Sequence, residues 1–373
     1  MNYLGILVSY FSNLYFLGFL SIVIAFMVSV RTYPAIIFLV HQKNLMDEPG
    51  NRSMHTDKTA TLGGVGLFIT FSLSIILFGI AVDLLRPDLI KLMSILASTI
   101  ILLFLGIKDD LLVLSPKKKL GGQIISAVIV VFLTDVRINN LYGLFGIGEL
   151  PYFISAFLTI FIFIFIINAY NLIDGIDGLA GAIAIISSMS FGIFFFMNAN
   201  YLMVLVSCIM LGALLGFLKY NLSYKNKLFM GDSGSMFIGF LLAYQAIVFL
   251  GMNEISTFSF YRLTNAPIVA LAVLSYPVMD TLRVFIVRLK QKRSPFSADR
   301  NHIHHRLLNL GLQHKQATLF IAVCNVLLIA ITFLIGPLYI HVQLYIILIL
   351  YPVLFLVPFL IVYEKGKLKL DIS

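Results

Sequence analysis

Long apolar runs, far longer than strands, alternate along this chain with short polar breaks. Taking about 17–25 apolar residues per membrane crossing, the pattern predicts eleven helices. They fall near 14–40, 62–83, 89–107, 119–136, 152–168, 178–197, 200–218, 233–251, 264–287, 316–336 and 340–362. The fourth opens on two glycines and Gln123, and the first contains Pro34, which removes a helical hydrogen bond and predicts a bend. Such runs exclude a transmembrane β-barrel, whose segments alternate over about ten residues. The expected architecture is an all-α polytopic membrane protein of about 11 transmembrane helices. It forms one domain over residues 1–373, with one long polar loop, 288–315, inside it.

Composition agrees. The 373 residues are 60% hydrophobic and only 12% charged, with a mean hydropathy of +1.00, more apolar surface than a soluble domain of this size hides. The N-terminus lacks a basic leader and a small-residue cleavage site, so it reads as a retained helix. Cys208 and Cys324 both lie in apolar runs and read as packing residues, not as a disulfide, metal site or nucleophile.

Charge sets the orientation. Eleven crossings put alternate gaps on opposite sides of the membrane. Twenty of the 26 Lys and Arg residues fall on one side, in gaps 41–61, 108–118 (with Lys119 at the mouth of the next helix), 169–177, 219–232, 288–315 and the tail from 363. Arg86, Arg137 and Arg262 fall on the other, while Arg31, Lys91 and Arg283 lie within predicted helices. The bias places the first side in the cytoplasm, in a bacterial inner membrane once the family likeness below is added. Much of the +9 net charge is therefore orientation signal, and no nucleic-acid partner is expected.

Four polar breaks on that side carry candidate chemistry. Asp109 and Asp110 end an apolar run, where adjacent acids oppose the helix dipole and call for a nearby cation. Asn168, Asn171, Asp174 and Asp177 recur every three residues, which lines one helical face with oxygen donors; Gly175 and Gly178 let a ligand approach the backbone. Asp232, in MGDSG, reads equally as a turn or a ligand. His302, His304 and His305 lie in the most basic loop with Arg300 and Arg306; without nearby cysteines they suit anionic oxygen better than zinc. Asp280 and Arg283, one turn apart within the ninth helix, read as an internal ion pair. Gly212 and Gly216 read as close helix packing. Carboxylates with amide oxygens form a hard-oxygen set suited to Mg²⁺ and its bound phosphates, and a phosphate site at a membrane face suggests one soluble and one lipid substrate.

These motifs, in this order, resemble the polyprenyl-phosphate N-acetylhexosamine-1-phosphate transferases, glycosyltransferase family 4. The likeness runs from about Asp47 to Gly311 and rests on Asp47, Pro49, Arg52, His55, Gly63 and Gly64, on KDD with Lys119 and Gln123, on NLIDGIDGLAG, on FMGDSGS, and on PVMDTLRV with SPFSADRNHIHHRLLNLG. The HIHHRL form is similar to the branch using UDP-N-acetylglucosamine; the muramoyl-pentapeptide branch is the alternative. The resemblance implies transfer of a sugar 1-phosphate from a UDP-N-acetylhexosamine to undecaprenyl phosphate in the membrane lipid, releasing UMP, as the first membrane step of a cell-envelope polysaccharide. It implies Mg²⁺, with Mn²⁺ able to substitute, on Asp232, with Asp109, Asp110 and Asn171 about it. Asp174, Gly175, Asp177, Phe229, Lys58 and Lys119 would serve the nucleotide and phosphates. The histidine loop with Arg300, Arg306 and the amide of Asn168 would complete the substrate site. A homodimer is compatible with these expectations. A secondary transporter is the rival class; it would place its polar groups near the membrane midplane, where only Asp280 and Arg283 fit.

Overall fold

The computed structural model describes residues 13–43, 46–47, 59–112, 114–254, 261–292, 301–364 and 367–370. Thirteen helices account for nearly all of them: α1 (Leu14–Gln42), α2 (Gly63–Ala81), α3 (Arg86–Leu112), α4 (Pro116–Thr134), α5 (Tyr152–Ile173), α6 (Leu179–Met197), α7 (Tyr201–Asn221), α8 (Gly231–Glu254), α9 (Ala266–Val273), α10 (Ser275–Lys290), α11 (Ile303–Asn309), α12 (His314–Leu334) and α13 (Ile340–Phe355). Two short antiparallel hairpins lie outside the bundle, β1 (Met46–Asp47) with β2 (Thr59–Ala60) and β3 (Ile361–Glu364) with β4 (Lys367–Leu370). The chain is an all-α polytopic membrane protein. Eight helices, α1, α2, α3, α5, α6, α7, α8 and α12, are long and apolar enough to cross a membrane, and α9 with α10 makes nine if the bent pair is one crossing. α4 opens on three lysines and α13 has 16 residues, so these two are weaker crossings by the same measures.

Local chemistry explains the ends. Asn13 caps α1 by accepting from the Tyr15 and Phe16 N–H groups, at 3.0 and 3.3 Å. Asn200 caps α7 through Met203 N–H at 3.1 Å. Each relieves donors that have no intrahelical partner. α1 runs through Pro34 as one helix.

Two departures from the sequence pattern matter. The predicted ninth helix is broken at Leu274, where α9 and α10 meet at 77°. Asn325 of α12 bridges the break: its Oδ1 accepts from Ser275 Oγ at 2.8 Å and Tyr276 N–H at 3.4 Å, and its Nδ2 donates to the Val273 carbonyl at 3.3 Å. One amide thus serves both orphaned helix ends, which apolar surroundings require. Second, α3 continues to Leu112 and α5 to Ile173, so Asp109, Asp110 and Asn171 sit on helix, not in loops.

α7 and α8 are the most enclosed helices. Gly212 and Gly216 of α7 let α1 approach: added Cβ atoms would collide with the Ile22 carbonyl and with Ser29. Around the start of α8, a Cβ on Gly64 would strike the Gly234 backbone, and one on Gly106 would strike Ser233. The N–H groups of Gly63 and Gly64 donate to the carbonyls of Phe229 and Met230, at 3.0 and 2.8 Å. Three helices therefore meet backbone to backbone where α8 begins. Asp280 and Arg283 form the expected pair, 3.2 Å apart, and both cysteines are free.

Candidate active site

The ends of α3, α4, α5 and α8 converge at one end of the bundle, and the first turn of α8 is their hub. Its N–H groups at Asp232 and Ser233 donate to Asp110 of α3, at 2.7 and 3.2 Å. A carboxylate at a helix N-terminus satisfies orphan donors and complements the dipole. Gly231, at φ 72°, makes the turn that allows it, and a Cβ there would press on the Asp110 carboxylate at 2.9 Å.

Asp232 then faces Lys119 of α4, whose Nζ stands 3.0 Å from Asp232 Oδ2 and 2.9 Å from Asp109 Oδ2. The same ammonium reaches Asn171 Oδ1 at 3.4 Å. Asn171 Nδ2 donates to Asp232 Oδ1 and to Ser235 Oγ, the latter at 2.8 Å. The carboxylates of Asp109 and Asp232 also lie within hydrogen-bond reach of each other. Asn168, one turn back on α5, exchanges amide hydrogen bonds with Gln123 of α4, at 2.8 and 3.3 Å, so its amide joins helices here.

Asp174, at the end of α5, sits beside Asp232 and Asp110. Burial first, then those two negative charges, push its carboxyl up to about 8. Asp177 differs. Burial opposes its ionisation, but hydrogen bonds from His314 and Lys227 outweigh that and hold it below the usual carboxylate range. Lys227 Nζ lies 2.7 Å and His314 Nδ1 3.1 Å from Asp177 Oδ2. Lys227 also lies over the Phe229 ring at 5.1 Å, which puts Phe229 at the same rim.

The histidine loop closes over Gly175. A Cβ on that glycine would come within 2.5 Å of His304 Nε2, and this buried nitrogen has no hydrogen-bond partner among the described residues. Burial, then His305 and His302, hold the His304 imidazole well below its usual range, so the ring is neutral. The rings of His302 and His304 stack at 5.5 Å, and His305 lies 4.3 Å from His304. His302 Nδ1 is 2.7 Å from Asp280 Oδ2. Arg306 points elsewhere in part: its Nε donates to the Pro358 carbonyl at 3.2 Å. Lys58 and Arg300 lie outside the described residues.

The structure thus brings Asp109, Asp110, Lys119, Asn171, Asp174 and Asp232 into one cluster, with His304 touching it through Gly175. Sequence reasoning missed Tyr276, Lys227 and His314, each an isolated polar residue among apolar or basic neighbours, with nothing in spacing to pair it with a residue tens of positions away. The donor chemistry fits a hard divalent cation: only oxygens are offered, and four carboxyl groups gather where one ammonium pairs with just two of them, Asp109 and Asp232. Among the described residues no three His, Cys, Asp or Glu side chains already share one point. A cation here would bind one or two carboxylates at a time and complete its shell with phosphate and water, as Mg²⁺ does.

A buried, oxygen-rich cluster of carboxyl groups at one end of a membrane helix bundle makes this end the candidate active site, and the comparisons with known proteins say which class of enzyme it belongs to. The sequence profile of Glycosyl transferase family 4 matches residues 92–250. A decaprenyl-phosphate N-acetylglucosaminephosphotransferase of Mycolicibacterium smegmatis is 31% identical over 289 residues, covering 73% of this chain and 71% of the relative. A probable undecaprenyl-phosphate N-acetylglucosaminyl 1-phosphate transferase of Bacillus subtilis is 29% identical over 310 residues, 81% of each chain. An undecaprenyl-phosphate alpha-N-acetylglucosaminyl 1-phosphate transferase of Escherichia coli O157:H7 is 30% identical over 77% of this chain and 75% of its own. The chain belongs to glycosyl transferase family 4.

Proposed function

We propose that this enzyme transfers N-acetylglucosamine 1-phosphate from UDP-N-acetylglucosamine to undecaprenyl phosphate, giving the undecaprenyl-diphospho-sugar and UMP at the cytoplasmic face of a bacterial inner membrane. The reaction is the first membrane step of a cell-envelope polysaccharide. The observation that carries this reading is the meeting of the acidic cluster around Lys119 with His304 over Gly175: a cation-binding region and a region of hydrogen-bond donors for anionic oxygen share one end of the bundle. The names of the relatives support the substrates, and the Lys and Arg bias supports the orientation.

In the reaction an oxygen of the lipid phosphate attacks the β-phosphorus of the UDP-sugar, and the bond from that phosphorus to the bridging oxygen breaks, so UMP leaves with the electron pair. A phosphate monoester has a second pKa of about 6 and is mostly dianionic at neutral pH, so the nucleophile needs no strong base. Asp232, with Asp109, Asp110 and Asn171, would hold Mg²⁺, which neutralises charge on the diphosphate when bound. Lys119 adds a second positive charge beside it. Asp174, Gly175, Asp177 and Phe229 would serve the nucleotide, and His302, His304 and His305 with Arg306 would hold the diphosphate and sugar; the family resemblance gives Lys58 a role in the first group and Arg300 one in the second. Positioning supplies much of the remaining rate.

The test uses full-length protein in detergent with labelled UDP-N-acetylglucosamine. UMP release that requires both Mg²⁺ and undecaprenyl phosphate supports the proposal. Release without lipid, or no release alongside solute uptake in liposomes, overturns it.

A further inference from the structure

α10 presents one row of side chains, Tyr276, Asp280 and Arg283, to the histidine loop. The carboxylate of Asp280 is fully buried and heavily used. Its Oδ1 accepts from the Ile303 N–H at 3.2 Å and from Arg283 Nη2 at 3.2 Å, and its Oδ2 lies 2.7 Å from His302 Nδ1. Arg283 reaches on to the Asn301 carbonyl, so α10 grips the loop on both sides of His302. One turn earlier, the buried Tyr276 hydroxyl lies 3.1 Å from His304 Nδ1. The Tyr276 side chain is fully buried, and His304 Nδ1 is the one hydrogen-bond partner of its hydroxyl among the described residues.

These contacts decide where the ring protons sit. An ionised carboxylate only accepts hydrogen bonds, so His302 Nδ1 carries its proton toward Asp280, which leaves Nε2 with the lone pair when the ring is neutral. At Tyr276 the buried hydroxyl proton has no other acceptor among the described residues, so it goes to His304 Nδ1. A neutral His304 must then carry its proton on Nε2, the atom that faces Gly175. Two stacked imidazoles, 5.5 Å apart and 12° from parallel, are held in opposite tautomers by two residues of one helix.

We propose that Asp280 and Tyr276 are positioning residues for the transfer: Tyr276 fixes His304 as an Nε2–H donor to a diphosphate oxygen beside Gly175, and Asp280 fixes His302 with Nε2 as a proton acceptor. This rests on the sugar-phosphate transfer reading. It assigns unlike jobs to two histidines that are alike in sequence. The groups facing His302 and His304 are Asp280, Arg283 and Tyr276 of α10 and His305 of α11.

The experiment is ¹⁵N-histidine NMR of the full-length protein in lipid nanodiscs, with kinetics on the same samples. The expected spectrum shows an Nδ1–H tautomer for His302 and an Nε2–H tautomer for His304. Tyr276→Phe should release His304 into a tautomer mixture and lower kcat by roughly tenfold, the worth of one hydrogen bond, with KM for UDP-N-acetylglucosamine nearly unchanged. Asp280→Asn should move His302 and lower kcat by about 10- to 100-fold, as loss of an orienting partner does, while Asp280→Glu restores part of it. Because Asp280→Asn threatens folding by leaving Arg283 without its carboxylate partner, Tyr276→Phe is the safer arm. Matching tautomers in the parent protein, or a kcat loss in Tyr276→Phe with the His304 signal unmoved, overturns the inference. No UMP release from the parent protein defeats the transfer reading instead and leaves the tautomer measurement standing.

Discussion

The Lys119 ammonium lies 2.9 Å from the Asp109 carboxylate, joining the last turn of α3 to the first turn of α4. It is the one cation hydrogen-bonded within the α3, α4, α5 and α8 cluster among the described residues, and it also pairs with Asp232. Lys119→Met should therefore do two things. Removing a positive charge strengthens the attraction of the carboxylates for a divalent ion, so half-maximal activity should come at lower Mg²⁺ concentration. The lost partner should lower kcat by about 10- to 100-fold. Titrating UMP release against Mg²⁺ checks both, and an unchanged metal dependence counts against this placement.

Asp174 gives a proton-linked prediction. Its carboxyl is raised to about 8 by burial and by Asp232 and Asp110, so at pH 7 without metal it is mostly protonated in the folded protein. The unfolded chain ionises it near the ordinary carboxylate value. The raised group therefore costs no stability below that value, costs progressively more as pH rises toward 8, and costs a constant amount above it. A divalent cation favours the ionised form, so Mg²⁺ binding at pH 7 should release protons. Calorimetry of Mg²⁺ binding in buffers of different ionisation enthalpy measures this. The parent protein should release protons, and Asp174→Asn should release markedly fewer.

Asp177 should behave in the opposite sense. Its depressed carboxyl, held by His314 and Lys227 against burial, contributes stability above the ordinary carboxylate pKa and loses it as pH falls through the lower folded value. Asp177→Asn should lower thermal stability at pH 7 and little near pH 3. Melting curves in one detergent at both pH values make the comparison.

The hub at the start of α8 is close-packed, which makes Gly64→Ala and Gly106→Ala informative. Each new methyl meets backbone of residues 233–234 and not a flexible side chain. Overpacking of this kind costs about 1–3 kcal/mol. Both variants should melt earlier and lose activity, because the backbone they displace carries Asp232. Activity that survives with a lowered melting point would separate the hub from the chemistry.

Much of the site was legible in sequence because helical spacing does the sorting. The three-residue recurrence of Asn168, Asn171 and Asp174 put them on one face of α5, and the structure keeps Asn171 and Asp174 against α8. Adjacent Asp109 and Asp110 called for a cation, and Lys119 supplies one to Asp109, while Asp110 meets a helix N-terminus. The bend at Leu274 was not legible. Residues 264–287 form one apolar run, and the side chain that serves the broken ends, Asn325, stands about fifty positions later. For the same reason Asp280 was legible as a partner of Arg283, three residues away, but not of His302, which reaches it through the fold. Local periodicity reports faces of helices; it does not report which distant loop closes on them.

The break itself can be tested. Asn325→Leu keeps the volume but strips partners from Ser275 Oγ and Tyr276 N–H, while the Val273 carbonyl keeps its bond from Ser187 Oγ. Unsatisfied buried groups cost about 1–3 kcal/mol each. The variant should be less stable, and kcat should fall because α10 carries Tyr276 and Asp280. A kcat equal to the parent's would show that the bend does not position the histidine loop.

Direct transfer is tested most sharply by one single-turnover measurement, using UDP-N-acetylglucosamine labelled in its β-phosphate, undecaprenyl phosphate and Mg²⁺. Rapid quenching should find the label passing straight from nucleotide sugar to lipid, with unlabelled UMP appearing at the same rate. Label that first accumulates on the protein, or that ends in free sugar phosphate, would contradict the account.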